Sequence, residues 1–384
     1  MVIATTIVFW ASIGLILYAY VLYAFCLAAA RRVIPIRVHQ KGTQLPSVSI
    51  VIAAFNEEQS IRQRVENCLA LDYPKDRLEI IVASDGSSDG TNKILSNMKS
   101  DLVRPLLFED RAGKVNALNR AVPQAQNEIL IFSDATSQFE PDILRKFVRH
   151  FADDSVGCVC GNVQFVNADG SRTAELEGPY WKLETFLRNR EGERGCTLGA
   201  TGAAFALRRE LWQACPSNAI VEDFIIPMRV LQQGFRVYFD PEALVVEEAA
   251  GQVNEEFERR RRIGAGALQS FLLLLPMINP LRGFPAIAFI SHKVLRWATP
   301  VLMITGLAAN AALALESSFY QALFIPHFLF YLLASIGALL ARSNRVMRVF
   351  SLPYYFVSMN TALLLGYIRY LRGTQKVTWN RVSR

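Results

Sequence analysis

Residues 1–30 carry no charged side chain. The stretch from Val2 to Ala30 exceeds the ~20 apolar residues that a helix needs to cross a bilayer. Ala28-Ala29-Ala30 resembles the small-residue site of a cleaved signal peptide. Such a peptide has a basic start and a shorter apolar core, so the sequence favours a permanent anchor. Arg31, Arg32, Arg37 and Lys41 follow the run. Basic residues beside a span stay in the cytoplasm, which predicts an N-terminus outside an integral membrane protein.

Three further uncharged runs, Trp297–Leu315, Ser317–Ala341 and Val349–Ile368, are long enough to span. Before them, Ala267–Ile290 is apolar but broken by Pro276, Pro280, Arg282 and Pro285, a pattern expected of helices lying in the interface. The charges around the last run conflict. Arg342, Arg345 and Arg348 ask to be inside, and so do Arg369, Arg372, Lys376, Arg381 and Arg384. Either Pro353, Asn360 and Gly366 let that run re-enter, or the tail lies outside. The predicted order is an N-terminal transmembrane helix at 1–30, a basic linker at 31–45 and a polar domain at 46–266. Interfacial helices at 267–296, transmembrane helices at 297–371 and a basic tail at 372–384 complete it.

With 52% hydrophobic residues and 24 Phe in 384 residues, the chain is not disordered. The excess of 41 basic over 34 acidic residues fits an anionic membrane surface rather than nucleic acid, given where the spans fall. Cys26, Cys68, Cys158, Cys160, Cys196 and Cys215 show no paired CxxC spacing. Cys158 and Cys160 alternate on a strand-like segment, which reads as buried thiols rather than a metal site.

The polar insert alternates strand and helix. Val48–Ala54 is a continuous apolar run, as in a parallel strand covered on both faces. Ile61, Val65 and Leu69 recur at helical spacing after it. Leu78–Ala83, Arg104–Phe108 and Glu128–Ser133 read as further strands, and Lys114–Val122 as a helix. This alternation predicts a doubly wound α/β sheet. Glu57, Asp85 and Asp134 each stand just past a strand's C-terminal end, where open α/β sheets bind ligands. An acid there can also simply cap the next helix. Arg111-Ala112-Gly113-Lys114 opens a helix, and its amides and lysine suit a phosphate. Neither GxGxxG nor GxxxxGK[ST] occurs.

These segments carry a resemblance. They are Ile50-Val-Ile-Ala-Ala-Phe-Asn-Glu-Glu58, Ile80-Ile-Val-Ala-Ser-Asp-Gly-Ser-Ser-Asp-Gly-Thr91, Gly113-Lys114-x-x-Ala117-Leu118-Asn119, Phe132-Ser133-Asp134-Ala135 and Val221-Glu222-Asp223. Together, in this order, they resemble family-2 glycosyltransferases, above all the integral-membrane branch of cellulose, chitin and hyaluronan synthases. The resemblance implies a GT-A fold over 46–266, a nucleotide-sugar donor (a UDP-sugar expected), a divalent metal (Mg2+ or Mn2+) and inversion at the anomeric carbon.

By position, Asp134 matches the metal-binding DxD acid and Asp85 the acid that contacts base or ribose. Lys114 would offset diphosphate charge, and Glu57 would hold the nucleoside or cap its helix. Asp223 matches the catalytic base, which takes the acceptor proton in single displacement. Thr201 and Gly202 match a loop near the acceptor. Glu222 and Arg262 stand where acceptor or diphosphate contacts are made.

Two departures bear on function. The DxD position reads Asp134-Ala135-Thr136, so the second acid is a hydroxyl. Where processive synthases carry QxxRW, this chain has Arg259-Arg260-Arg261-Arg262-Ile263, which keeps the cation but loses the stacking tryptophan. The expectation is therefore a non-processive transferase acting on a lipid-linked or membrane-proximal glycan. A processive polysaccharide synthase and a non-catalytic scaffold subunit are the alternatives.

Overall fold

A computed structural model describes residues 2–33, 42–166, 179–248, 253–341 and 348–375. These residues fall into two compact units. One is an α/β unit, formed by described residues of 27–248 and 274–288; the other is helical and draws on 2–26, 253–273 and 289–375.

An eight-stranded mixed sheet forms the frame of the α/β unit. Its strands are β1 (Val48–Ala54), β2 (Leu78–Asp85), β3 (Val103–Phe108), β4 (Ile129–Asp134), β5 (Gln138–Phe139), β6 (Val156–Val166), β7 (Phe205–Arg208) and β8 (Arg236–Glu248). They run in the order β3-β2-β1-β4-β7-β6-β8-β5. β1 is parallel to both β2 and β4, with Ala54 opposite Ser84 and Ala53 opposite Asp134. That register lines up the strand ends that carry the acids. All of β1 is buried, which is why its apolar pattern is unbroken rather than alternating. β7 enters antiparallel between β4 and β6, making the sheet mixed rather than purely doubly wound. All six cysteines are free thiols and all but Cys26 are buried, Cys158 and Cys160 on β6.

One helix departs from its periodic reading. Ile61–Leu69 buries Ile61, Val65 and Cys68 as helical spacing requires, and it also buries Arg64 completely.

Among the described residues four helices are long and apolar enough to cross a membrane: Val2–Arg32, Phe284–Ala314, Ser318–Leu340 and Val349–Leu371. The segment expected to lie in the interface divides among several elements instead. Val253–Leu273 is one continuous helix, two short 3-10 turns follow at Leu275–Ile278 and Pro280–Arg282, and the next long helix begins at Phe284 rather than Trp297. Pro285 stands at the start of that helix, where its missing N–H costs nothing. The last helix, Arg348–Leu371, runs unbroken through Pro353, Asn360 and Gly366.

Within the helical unit, Val253–Leu273 and Arg348–Leu371 approach backbone to backbone. A Cβ added at Gly264 would lie 2.5 Å from the Leu363 carbonyl oxygen. Gly366 faces Arg261 and Gly264 across the same contact. Glycine permits this close crossing because no side chain separates the helices.

Candidate active site

Lys114 is the centre of the cluster. It opens the helix Lys114–Ala121, preceded by Gly113 at φ 98°, a conformation that favours glycine. The turn before it is pinned from β2: fully buried Asp85 accepts the Ala112 amide at 2.9 Å and the Gly113 amide at 2.7 Å. Gly86 is also required there, since a Cβ on it would stand 2.6 Å from the Arg111 nitrogen. The Arg111 guanidinium lies 3.8 Å over the Phe55 ring.

From this helix start the Lys114 ammonium reaches two carboxylates at once. Nζ is 2.7 Å from Asp134 Oδ1, at the end of β4, and 2.7 Å from Glu222 Oε1. Burial alone would lower the Lys114 pKa. The charges of Asp134, Glu222 and Asp223 outweigh that and raise it above the ordinary lysine value. Glu222 and Asp223 form the first turn of the helix Glu222–Gln232, where the helix dipole favours negative charge.

Asp223 is held by the 199–203 loop: its Oδ2 accepts the Gly202 amide at 3.1 Å and its backbone carbonyl accepts the Ala200 amide at 2.9 Å. Gly202 also packs on the lysine. A Cβ there would lie 2.8 Å from Lys114 Nζ and 3.1 Å from Asp134 Oδ2. Thr201 Oγ1 is buried with no hydrogen-bond partner.

The structure thus brings together Lys114, Asp134, Glu222, Asp223 and the Thr201-Gly202 loop. Asp85 joins them indirectly, through the turn it pins. Glu57 works on its own helix: its carbonyl accepts the Ile61 amide at 2.8 Å and its Oε2 accepts the Ser60 hydroxyl at 2.6 Å. Its amide donates to Thr91 Oγ1 at 2.8 Å, tying the β1 exit to the β2 exit. Arg262 is exposed on Val253–Leu273, in the helical unit.

Sequence reasoning missed Arg64. Its Nη2 donates to Ser133 Oγ at 2.9 Å, directly beside Asp134. An arginine on an amphipathic helix reads as solvent-facing, so no local signal marked it.

Among the described residues no group of three or more His, Cys, Asp or Glu is arranged to hold a metal. One oxygen-rich carboxylate, partly exposed at Asp134 and bordered by side-chain-free Gly202, does fit a hard cation that keeps most of its sites for phosphate and water. It does not fit a closed all-protein metal cage.

Residues 49–214 match the profile described as Glycosyl transferase family 2. Over those residues the chain is similar to family-2 glycosyltransferases. It is 30% identical over 221 residues to the probable glycosyltransferase YdaM of Bacillus subtilis, a match covering 53% of this chain and 51% of that protein. It is 24% identical over 277 residues to the poly-β-1,6-N-acetyl-D-glucosamine synthase of Staphylococcus aureus, covering 68% and 65%. It is 27% identical over 245 residues to the β-monoglucosyldiacylglycerol synthase of Trichormus variabilis, covering 62% and 52%. The chain thus spans between about half and two thirds of the length of these relatives. Among solved structures it resembles the mannosyltransferase PcManGT of Pyrobaculum calidifontis in complex with GDP-Man and Mn2+. There the TM-score is 0.71 at 25% identity, covering 97% of this chain and 99% of that one.

Proposed function

We propose that this glycosyltransferase moves one sugar, with inversion, from a nucleoside diphosphate sugar to a lipid-linked or membrane-proximal acceptor. The observation that carries this reading is the convergence of Lys114 on Asp134 and Glu222, with Asp223 beside it on the Gly202 loop. The fold shared with a protein solved with GDP-Man and Mn2+ supports a nucleotide-sugar donor. That neighbour sets a GDP-sugar beside the UDP-sugar expected from the sequence. A relative named as a diacylglycerol glycolipid synthase, and four helices long enough to span, support an acceptor at the membrane.

The acceptor hydroxyl attacks the anomeric carbon opposite the diphosphate. Asp223 takes the hydroxyl proton as the new C–O bond forms, contributing general-base catalysis. The bond to the β-phosphate oxygen breaks with its electron pair, leaving a nucleoside diphosphate whose charge Lys114 counters. Asp134 would hold a divalent cation, Mg2+ or Mn2+, which supplies Lewis acidity toward the diphosphate oxygens. Asp85 keeps the Arg111–Lys114 turn in place for the donor. Thr201 and Gly202 border the acceptor, and Glu57 braces the nucleoside side through the β1–β2 loops. Where processive synthases carry a stacking tryptophan after the arginine, this chain follows Arg262 with Ile263, which offers no ring on which a growing glycan could stack. Product therefore grows by one or a few sugars.

The last helix is unbroken, so an N-terminus outside puts the catalytic domain in the cytosol, Arg342–Arg348 inside and the C-terminal tail outside.

The test offers radiolabelled UDP- and GDP-sugars to membranes containing the protein. Label in short lipid-extractable product supports the proposal. Label in long polymer supports the synthase reading suggested by the S. aureus relative. No label from any donor, while the protein remains folded, supports the scaffold reading.

A further inference from the structure

Arg64 is the largest fully buried side chain among the described residues. A guanidinium removed from water is costly unless its surroundings repay it, so its partners identify its task. Nη2 donates to Ser133 Oγ at 2.9 Å, and Ser133 Oγ in turn donates to the Asp134 carbonyl at 3.1 Å. Nη1 donates to Asn67 Oδ1 at 2.5 Å, and Asn67 grips the Phe139 backbone, accepting its amide at 2.9 Å and donating to its carbonyl at 2.9 Å. The guanidinium carbon stands 4.0 Å from the centre of the Phe139 ring. A single buried cation thus touches both ends of the segment from Ser133 to Phe139. Asp134, Ala135 and Thr136 lie between those ends. Burial lowers the Arg64 pKa from its ordinary value, opposed by Cys68, Asp134 and Glu247.

Ala135 and Thr136 leave Asp134 as the one acid in that triplet, so its direction has no second carboxylate to share the work. We propose that Arg64 is a positioning residue for Asp134, acting through the Ser133 hydroxyl to fix the backbone from which the carboxylate projects. The inference rests on the reading that Asp134 engages the metal and the donor diphosphate. Partners that orient a metal-binding group typically contribute ~10–100-fold in metal affinity.

The experiment uses the full-length protein in detergent. Free Mn2+ is counted by electron paramagnetic resonance with UDP or with GDP present, and thermal unfolding is followed in parallel. Asp134→Asn should abolish Mn2+ retention. Ser133→Ala removes only the linking hydroxyl and should weaken Mn2+ retention several-fold at an unchanged Tm. Arg64→Lys keeps the charge but not the fork and should weaken it ~10–100-fold. The double variant should be no weaker than Arg64→Lys alone, because both changes cut one relay. Saturating Mn2+ and donor should restore turnover in Ser133→Ala, which a loosened fold would not allow. If Arg64→Lys does not fold, Ser133→Ala decides alone. Wild-type Mn2+ affinity in a stable Ser133→Ala, or additive losses in the double variant, overturns the relay while Asp134→Asn still loses metal. Mn2+ retained by Asp134→Asn overturns the underlying site reading and the relay with it.

Discussion

The Gly202 amide donates to Asp223 Oδ2 at 3.1 Å, so the loop at 199–203 and the proposed base are fixed to each other before any substrate arrives. Asp223→Asn keeps the shape and removes the basicity. Transfer should fall ~10²–10⁴-fold with donor affinity little changed. Glu222→Gln should cost less, because it weakens one of the Lys114 contacts and removes no proton acceptor from the reaction. Steady-state turnover beside donor Kd separates the two, and unchanged turnover in Asp223→Asn removes it from the mechanism.

Gly202→Ala tests the packing around the lysine. The new methyl would begin 2.8 Å from Nζ and 3.1 Å from Asp134 Oδ2, forcing the ammonium or the carboxylate to move. Donor affinity and turnover should both drop, with Tm changed little because the lysine end is flexible. Donor binding by calorimetry beside Tm measures this. Wild-type affinity would mean the close approach has no role.

The proposed metal site centres on the Asp134-Ala135-Thr136 triplet. Asp134→Ala should abolish donor use. Thr136→Asp adds an anionic ligand and should keep transfer or improve it at low metal concentration. A Mn2+ titration of transfer in the two variants checks both, and near-normal transfer by Asp134→Ala would remove the metal assignment.

Acid stability should report on Asp240. It is buried, with Oδ2 2.7 Å from His150 Nε2 and 2.6 Å from Arg149 Nη2. Burial by itself would raise this carboxyl; the His150 and Arg149 contacts win and pull it down to about 2. Its contribution is therefore complete above the unfolded value of ~3.9 and is lost as pH falls from there toward about 2, on the order of 2–3 kcal/mol. Asp240→Asn should flatten this acid limb of the unfolding curve, followed by tryptophan fluorescence from pH 6 to 2. An unaltered limb would place the acid sensitivity elsewhere.

Topology gives a separate check. A cysteine introduced at position 344 should resist membrane-impermeant reagents added to intact cells, and one in the tail beyond Leu371 should react. Labelling at 344 from outside would reverse the orientation.

The sequence reading succeeded where a single strand carries its own signal. β1, β2 and β4 are short, largely apolar and buried runs, and the acids at their ends follow directly from chain order. It was weaker where meaning comes from long-range contact. Glu222 is expected at acceptor or diphosphate, and no local signal shows that it pairs with Lys114 from more than a hundred residues earlier. β7 was hidden because Phe205–Arg208 is short and pairs antiparallel with strands distant in sequence. Arg64 defeats the periodic reading because its burial is repaid by Ser133, Asn67 and Phe139, none of them local strand or helix signals.

The glycine contact between Val253–Leu273 and Arg348–Leu371 acts as a rivet. Two helices joined backbone to backbone cannot slide past each other by a residue without driving a side chain into a carbonyl. The arginines at 259–262 are therefore tied to the final helix. In the proposed topology, a bilayer that shifts or tilts that helix carries the basic run along with it.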